Sequence, residues 1–160
     1  MPAPLLIVWH SRTTASEQLA QAASKGAGVG ATVIFAAEAQ PQHFLTAQGY
    51  LFVGPENLGS LSGLMKEMLD RCYYPLLGRI EGRAYATITA AGSDGGNAVR
   101  QLDRIVTGWR LRRVAKPVIV NLEAQTAEAI LACKRVPEER LEEARDLGEA
   151  LAEGLASGIF

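Results

Sequence analysis

Cysteine and histidine are scarce in this chain of 160 residues: Cys72 and Cys133 stand far apart, and His10 and His43 are the only histidines. So few ligands supply neither a disulfide framework nor a thiolate cluster, and no metal site is expected. An excess of one charge sign is missing too, since sixteen Lys plus Arg oppose seventeen Asp plus Glu for a formal charge of −1. A general nucleic-acid binder carries a basic footprint that this balance lacks, so no nucleic-acid partner is expected. No apolar run reaches the roughly 18 residues that cross a bilayer. Met1 to Trp9 has neither the basic segment nor the small-residue cleavage site of a secretory signal, so a cytoplasmic chain without membrane insertion is expected.

Two nucleotide-binding patterns are also absent. No G-x-x-x-x-G-K-[ST] occurs, and Gly26-Ala27-Gly28-Val29-Gly30 follows a helical pattern and precedes a strand, the reverse of the context a dinucleotide fingerprint requires. A receiver-type signalling domain would need clustered acidic residues after the first strand, where His10 and Ser11 stand.

What is present is an apolar content of 48%, enough at this length for one domain over residues 1–160. Pro4–Trp9, Ala31–Ala36, Tyr50–Val53, Ala84–Ala90 and Pro117–Leu122 are short continuous apolar runs, the pattern of strands covered on both faces. Helical stretches alternate with them. Thr14-Ala15-Ser16-Glu17 has capping-box spacing before the stripe Leu19, Ala20, Ala22 and Ala23. Leu61–Cys72, Ala98–Trp109 and Glu138–Leu155 follow, the last with Leu141, Ala144, Leu147 and Leu151 on one face and an acidic back. The alternation predicts an α/β fold: a three-layer, doubly wound, five-stranded parallel sheet.

Ligands of such sheets sit beyond the carboxyl ends of the strands, so the loops after strands one, three and four carry the information. In the first, Ser11, Arg12, Thr13, Thr14, Ala15 and Ser16 bring hydroxyls and backbone N–H groups to a helix start, where an anion is favoured. A simple helix cap would use only one of those hydroxyls. The second is Gly54-Pro55-Glu56-Asn57-Leu58-Gly59-Ser60-Leu61-Ser62-Gly63, running into Leu64-Met65-Lys66 and a helix that continues to Leu69-Asp70-Arg71. The third is Ala90-Ala91-Gly92-Ser93-Asp94-Gly95-Gly96, which alone also reads as a turn.

These loops resemble the flavodoxin-like superfamily, and in particular its NAD(P)H-dependent FMN reductases and tryptophan-repressor-binding-protein-like quinone reductases. The second loop of that family reads roughly P-x-x-F-G-x-x-[SA]-G-x-M-K. The resemblance spans essentially the whole chain. It implies that Ser11, Arg12, Thr13, Thr14, Ala15 and Ser16 hold the phosphate of FMN, and that Pro55, Glu56, Asn57, Leu58 and Gly59, with Ala91, Gly92, Ser93, Asp94 and Gly95, line its ring. Leu58 stands where the family has an aromatic, and Ala90 and Ala91 lack the hydroxyls common in the third loop. NAD(P)H as co-substrate, a quinone or similar small acceptor, flavin-driven chemistry without a catalytic side chain, and a homo-oligomer are further implications. A one-electron carrier and an FMN-free module are the alternatives. The near-zero net charge speaks against a carrier that docks through an acidic field.

Trp9, Trp109, Met65 and Met68 read as core or interface residues, Cys72 as buried and inert, and His10 as a polar strand-end residue. Arg100, Arg104, Arg110, Arg112, Arg113 and Lys116 read as a solvated face.

Overall fold

The computed structural model describes residues 3–160. Successive side chains of β1 (Leu5–Trp9) point to opposite sides of the sheet, and each side meets its own apolar layer. Leu6 and Val8 enter one buried cluster, Leu5 and Ile7 the other. A strand covered on both faces has no room for polar alternation, which is why the run is apolar throughout.

In chain order β1 is followed by α1 (Ala15–Ala27), β2 (Ala31–Phe35), α2 (Pro41–Thr46), β3 (Gly49–Asn57) and β4 (Ser60–Leu61). Then come α3 (Gly63–Leu76), β5 (Ala84–Ala91), α4 (Gly96–Gly108), β6 (Arg112–Arg113), β7 (Val118–Asn121), α5 (Ala127–Leu131) and α6 (Glu138–Ala156). The strands β2, β1, β3 and β5 lie parallel in that spatial order, and β6 and β7 pair in parallel with the far edge of β5. Helices α1 and α6 cover one face, with α2, α3 and α4 on the other. This is the doubly wound, flavodoxin-like α/β architecture that the alternation of apolar runs predicts. Met65, Met68, Cys72 and Trp109 are buried in the α3 side of the core, and burial pushes the Cys72 thiol pKa up.

Four local expectations change. The second strand is a sheet edge rather than a covered strand: β2 pairs only with β1 and leaves Val33 exposed. The place of a single fifth strand is shared, with β6 beside Ala84–Tyr85 and β7 beside Ile88–Ala91. Pro117, which has no N–H to give a ladder, falls in the gap. The second loop is a hairpin: β3 continues to Asn57 and returns as β4 through Leu58 and Gly59, whose φ values of 53° and 67° match the turn type that two-residue hairpins prefer. Finally, the capping box does not form. Thr14 precedes α1 with φ 71°, and its hydroxyl accepts from no backbone N–H of the helix start.

The α1/α6 crossing is set by two glycines. A Cβ on Gly26 would collide with the Arg145 carbonyl, and one on Gly148 with the Ala23 carbonyl. Backbone-to-backbone approach of this kind fixes α1 from its carboxyl end, while its amino end carries the first loop.

Candidate functional site

Parallel strands deliver their following loops to one end of the sheet, so β1, β3 and β5, which are adjacent, bring the three loops side by side. They differ in how their polar groups are employed.

In the first loop His10 N–H donates to the Val53 carbonyl at 3.0 Å and closes the strand end. Beyond it, none of the backbone N–H groups from Ser11 to Glu17 donates to another of the described residues. Ser16 is only 1% exposed, and its Oγ is the one buried side-chain polar atom without a partner among the described residues. Leaving a buried hydroxyl unpaired costs on the order of 1–3 kcal/mol. Such a hydroxyl beside a row of free amides, at the positive end of α1, has the donor chemistry of an anion cradle. Ser11 and Thr13 are half-buried beside it, Arg12 is exposed, and Ala15 is buried.

Thr14 faces elsewhere. Its hydroxyl donates to the Lys134 carbonyl at 3.0 Å, and Lys134 N–H returns a bond to the Thr13 carbonyl at 2.8 Å. Gln18 sits in the same knot: its Nε2 donates to the Lys134 carbonyl at 2.8 Å, and its Oε1 accepts from Val136 N–H at 3.1 Å. Sequence reasoning missed Gln18 and Lys134, because no spacing signal links positions that lie on different elements. His10 is a further addition. Its Nδ1 lies 2.8 Å from the Ser62 hydroxyl, joining the end of β1 to the start of α3. Burial, then the nearby Arg12 charge, lowers its pKa.

The second loop is tied to the third. The Glu56 carboxylate accepts from Gly95 N–H at 2.9 Å and from Ala98 N–H at 3.1 Å, so it serves the orphan amides at the start of α4. Gln101 Oε1 accepts from both the Ser60 hydroxyl and Leu61 N–H at 2.7 Å, and the Asn97 amide donates to the Gly59 carbonyl. Pro55 stays in register with Ala90, Asn57 is half-buried, and Leu58 is fully exposed at the hairpin tip.

The third loop is anchored through its carbonyls. Ala91 accepts from Leu122 N–H at 2.8 Å, Gly92 from Gln125 Nε2 at 2.9 Å and Ser93 from Asn121 Nδ2 at 2.7 Å. Asp94 Oδ1 accepts from Gly96 N–H at 3.2 Å, while the amides of Gly92, Ser93 and Asp94 have no partner among the described residues.

Two negative results bound the site: no group of metal-ligating side chains forms among the described residues, and no described helix is long and apolar enough to cross a membrane. A cavity of about 160 Å³ lies between the end of α3 and Trp109, and no residue of the three loops lines it. Of the basic set, Arg113 is not a solvated residue. It is paired with Asp103 at 2.5 Å and bonded to the Thr87 hydroxyl at 2.9 Å, and its guanidinium lies over the Tyr85 ring. Burial and the Asp103 carboxylate push the Tyr85 pKa up to about 12.

The fold is shared with solved flavoprotein structures. A WrbA-like flavodoxin from Agrobacterium tumefaciens superposes with a TM-score of 0.77 at 18% identity, covering 96% of this chain and 97% of that one. A flavodoxin from the domain Archaea gives 0.78 at 14% identity, over 95% and 98%. The flavodiiron protein from Giardia intestinalis gives 0.76 at 17% identity, over 96% of this chain but 36% of that one. No curated protein sequence matches this one. The sequence profile of the NADPH-dependent FMN reductases matches residues 36–126, which contain the second and third loops and leave the first outside. With more than half of its length in that match, the chain belongs to the NADPH-dependent FMN reductase family.

Proposed function

We propose that this protein binds FMN with the phosphate in the first loop and passes electrons from NAD(P)H to a small acceptor, a quinone or a molecule of similar chemistry, in the cytoplasm. The observation that carries the reading is the unpaired, buried Ser16 hydroxyl beside the free amides of Ser11 to Glu17. Those donors suit a phosphate dianion, and they lie at the same end of the sheet as the two loops inside the family match.

In this reading the amides of the first loop and the hydroxyls of Ser11, Thr13 and Ser16 hold the phosphate, with Arg12 adding exposed positive charge. Pro55, Asn57, Leu58 and Gly59, with Ala91, Gly92, Ser93, Asp94 and Gly95, would line the ring. Glu56 acts at one remove, by fixing both loops to α4. When bound, FMN supplies the two-electron chemistry, and the chain contributes orientation and charge rather than a nucleophile or a titrating base. The fully exposed Leu58 at the hairpin tip contributes no cover over that ring in this reading.

The test is a titration of the purified protein with FMN, followed by anaerobic addition of NADPH or NADH and then of a small quinone. Bleaching of the flavin absorbance by a nicotinamide nucleotide and its return with the quinone are expected. Binding of FMN without bleaching would favour an electron carrier, and no binding would leave a cofactor-free module.

A further inference from the structure

Thr14 is a β-branched residue in the left-handed region, with φ 71° and ψ −11°, and such a backbone is held only where its surroundings impose it. The surroundings are a strap of chain between β7 and α6. Thr13 and Thr14 bond to Lys134, and Gln18, one turn into α1, spans from the Thr14 carbonyl at 3.2 Å and hydroxyl at 3.1 Å to Lys134 and Val136. The strap is itself closed, because Lys134 Nζ donates to the carbonyls of Ile130, at 3.0 Å, and Ala132, at 2.5 Å. None of these bonds uses the Ser16 hydroxyl or a backbone N–H between Ser11 and Glu17. The loop is thus held by its strap-facing groups while its amides are left free.

We propose that Gln18 and Thr14 are positioning residues that use the strap to hold the first loop in the shape that accepts a phosphate group. The proposal rests on the FMN reading given above and names what sets the affinity of that site for its anionic end. The loop and strap form one unit: a bound phosphate reinforces the bonds to Lys134 and Val136, and loss of those bonds lets Thr14 leave its strained conformation. The amides then no longer converge.

The discriminating ligands are FMN and riboflavin, which differ only in the phosphate. Gln18→Ala is expected to weaken FMN by about tenfold, the worth of one or two hydrogen bonds, with riboflavin changed less than about twofold. Thr14→Val, which keeps the volume and loses the hydroxyl, behaves like Gln18→Ala, and Thr14→Ser restores the preference for FMN. Equal losses for both flavins, an unchanged FMN affinity in Gln18→Ala, or identical behaviour of the Val and Ser variants would overturn the proposal. Hydrogen exchange supplies an independent readout with inorganic phosphate as the probe. Added phosphate should slow exchange at the Lys134 and Val136 amides in the wild type and not in Gln18→Ala, and equal slowing in both would refute it. A wild type that binds neither flavin yet shows the phosphate protection would remove the FMN reading and leave this one standing.

Discussion

The two sides of the candidate site solve opposite problems. In the first loop, between Ser11 and Glu17, backbone donors and a buried hydroxyl are left without partners among the described residues. On the hairpin side, Glu56, Gln101 and Asn97 bind the second loop to the start of α4 through five hydrogen bonds. One side stores binding capacity at some expense in stability, and the other spends its side chains on holding two loops together. The contrast assigns affinity to the anionic end of a ligand and shape to the other end. The profile match contains the second and third loops and leaves the first outside. The first loop offers mainly backbone amides, which every residue but proline provides whatever its side chain.

The contrast can be broken most decisively at Glu56. Removing its carboxylate in Glu56→Ala leaves the Gly95 and Ala98 amides unpaired at a helix start, at a loss of about 2 kcal/mol. Thermal unfolding should report a midpoint several degrees lower, while phosphate protection of the first loop stays as in the wild type. Next in size, and opposite in sign for stability, is the double change of Ser11 and Ser16 to Ala. FMN affinity should fall about tenfold, yet the urea midpoint should stay level or rise, because the buried Ser16 hydroxyl has no partner to lose. A double variant that unfolds more easily would show the hydroxyl to be structural.

A smaller effect is expected at the hairpin tip. Leu58 is fully exposed with φ 53°, so Leu58→Asn forfeits no burial and installs the Asn-Gly pair that this turn favours. A gain of about 0.5–1 kcal/mol by chemical denaturation is expected. The smallest test concerns His10, at the junction of the two sides. Its folded pKa lies below the ordinary 6.5, so below that pH the unfolded chain takes up the proton first and stability drains away as acidity rises. The fall in thermal midpoint between about pH 7 and pH 5 should be shallower in His10→Gln, and identical slopes would mean that His10 is not the group responsible.

Much of the frame was legible because burial on both faces writes itself as continuous apolar runs. Leu5 to Val8 and Tyr50 to Val53 could hardly be anything but covered strands. The edge position of β2 was not legible, since Ala31 to Phe35 is as apolar as a central strand although only one neighbour pairs with it. The short α2 escaped because six residues starting at Pro41 offer too little periodicity. At the site, the residue types marked three segments that share one end of the sheet, although the second is a strand hairpin and not an irregular loop. They did not reveal what Thr14 and Glu56 bond to. Both choices depend on partners brought in by tertiary folding: Lys134 for Thr14, and the start of α4 for Glu56.

The crossing of α1 and α6 has a consequence for how tolerant this protein is to change. Gly26 lies about 17 Å along the helix from Ala15, counting roughly 1.5 Å per residue. A methyl group added there, or at Gly148, must push two backbones apart. The helix would then be forced off its present seat, and the free amides at its amino end would move with it. Substitutions that look harmless by their distance from the loops would be felt there as misalignment. A survey that ranks positions by proximity to the loops would pass over these two glycines, which act as the gauge blocks that set the spacing of the site.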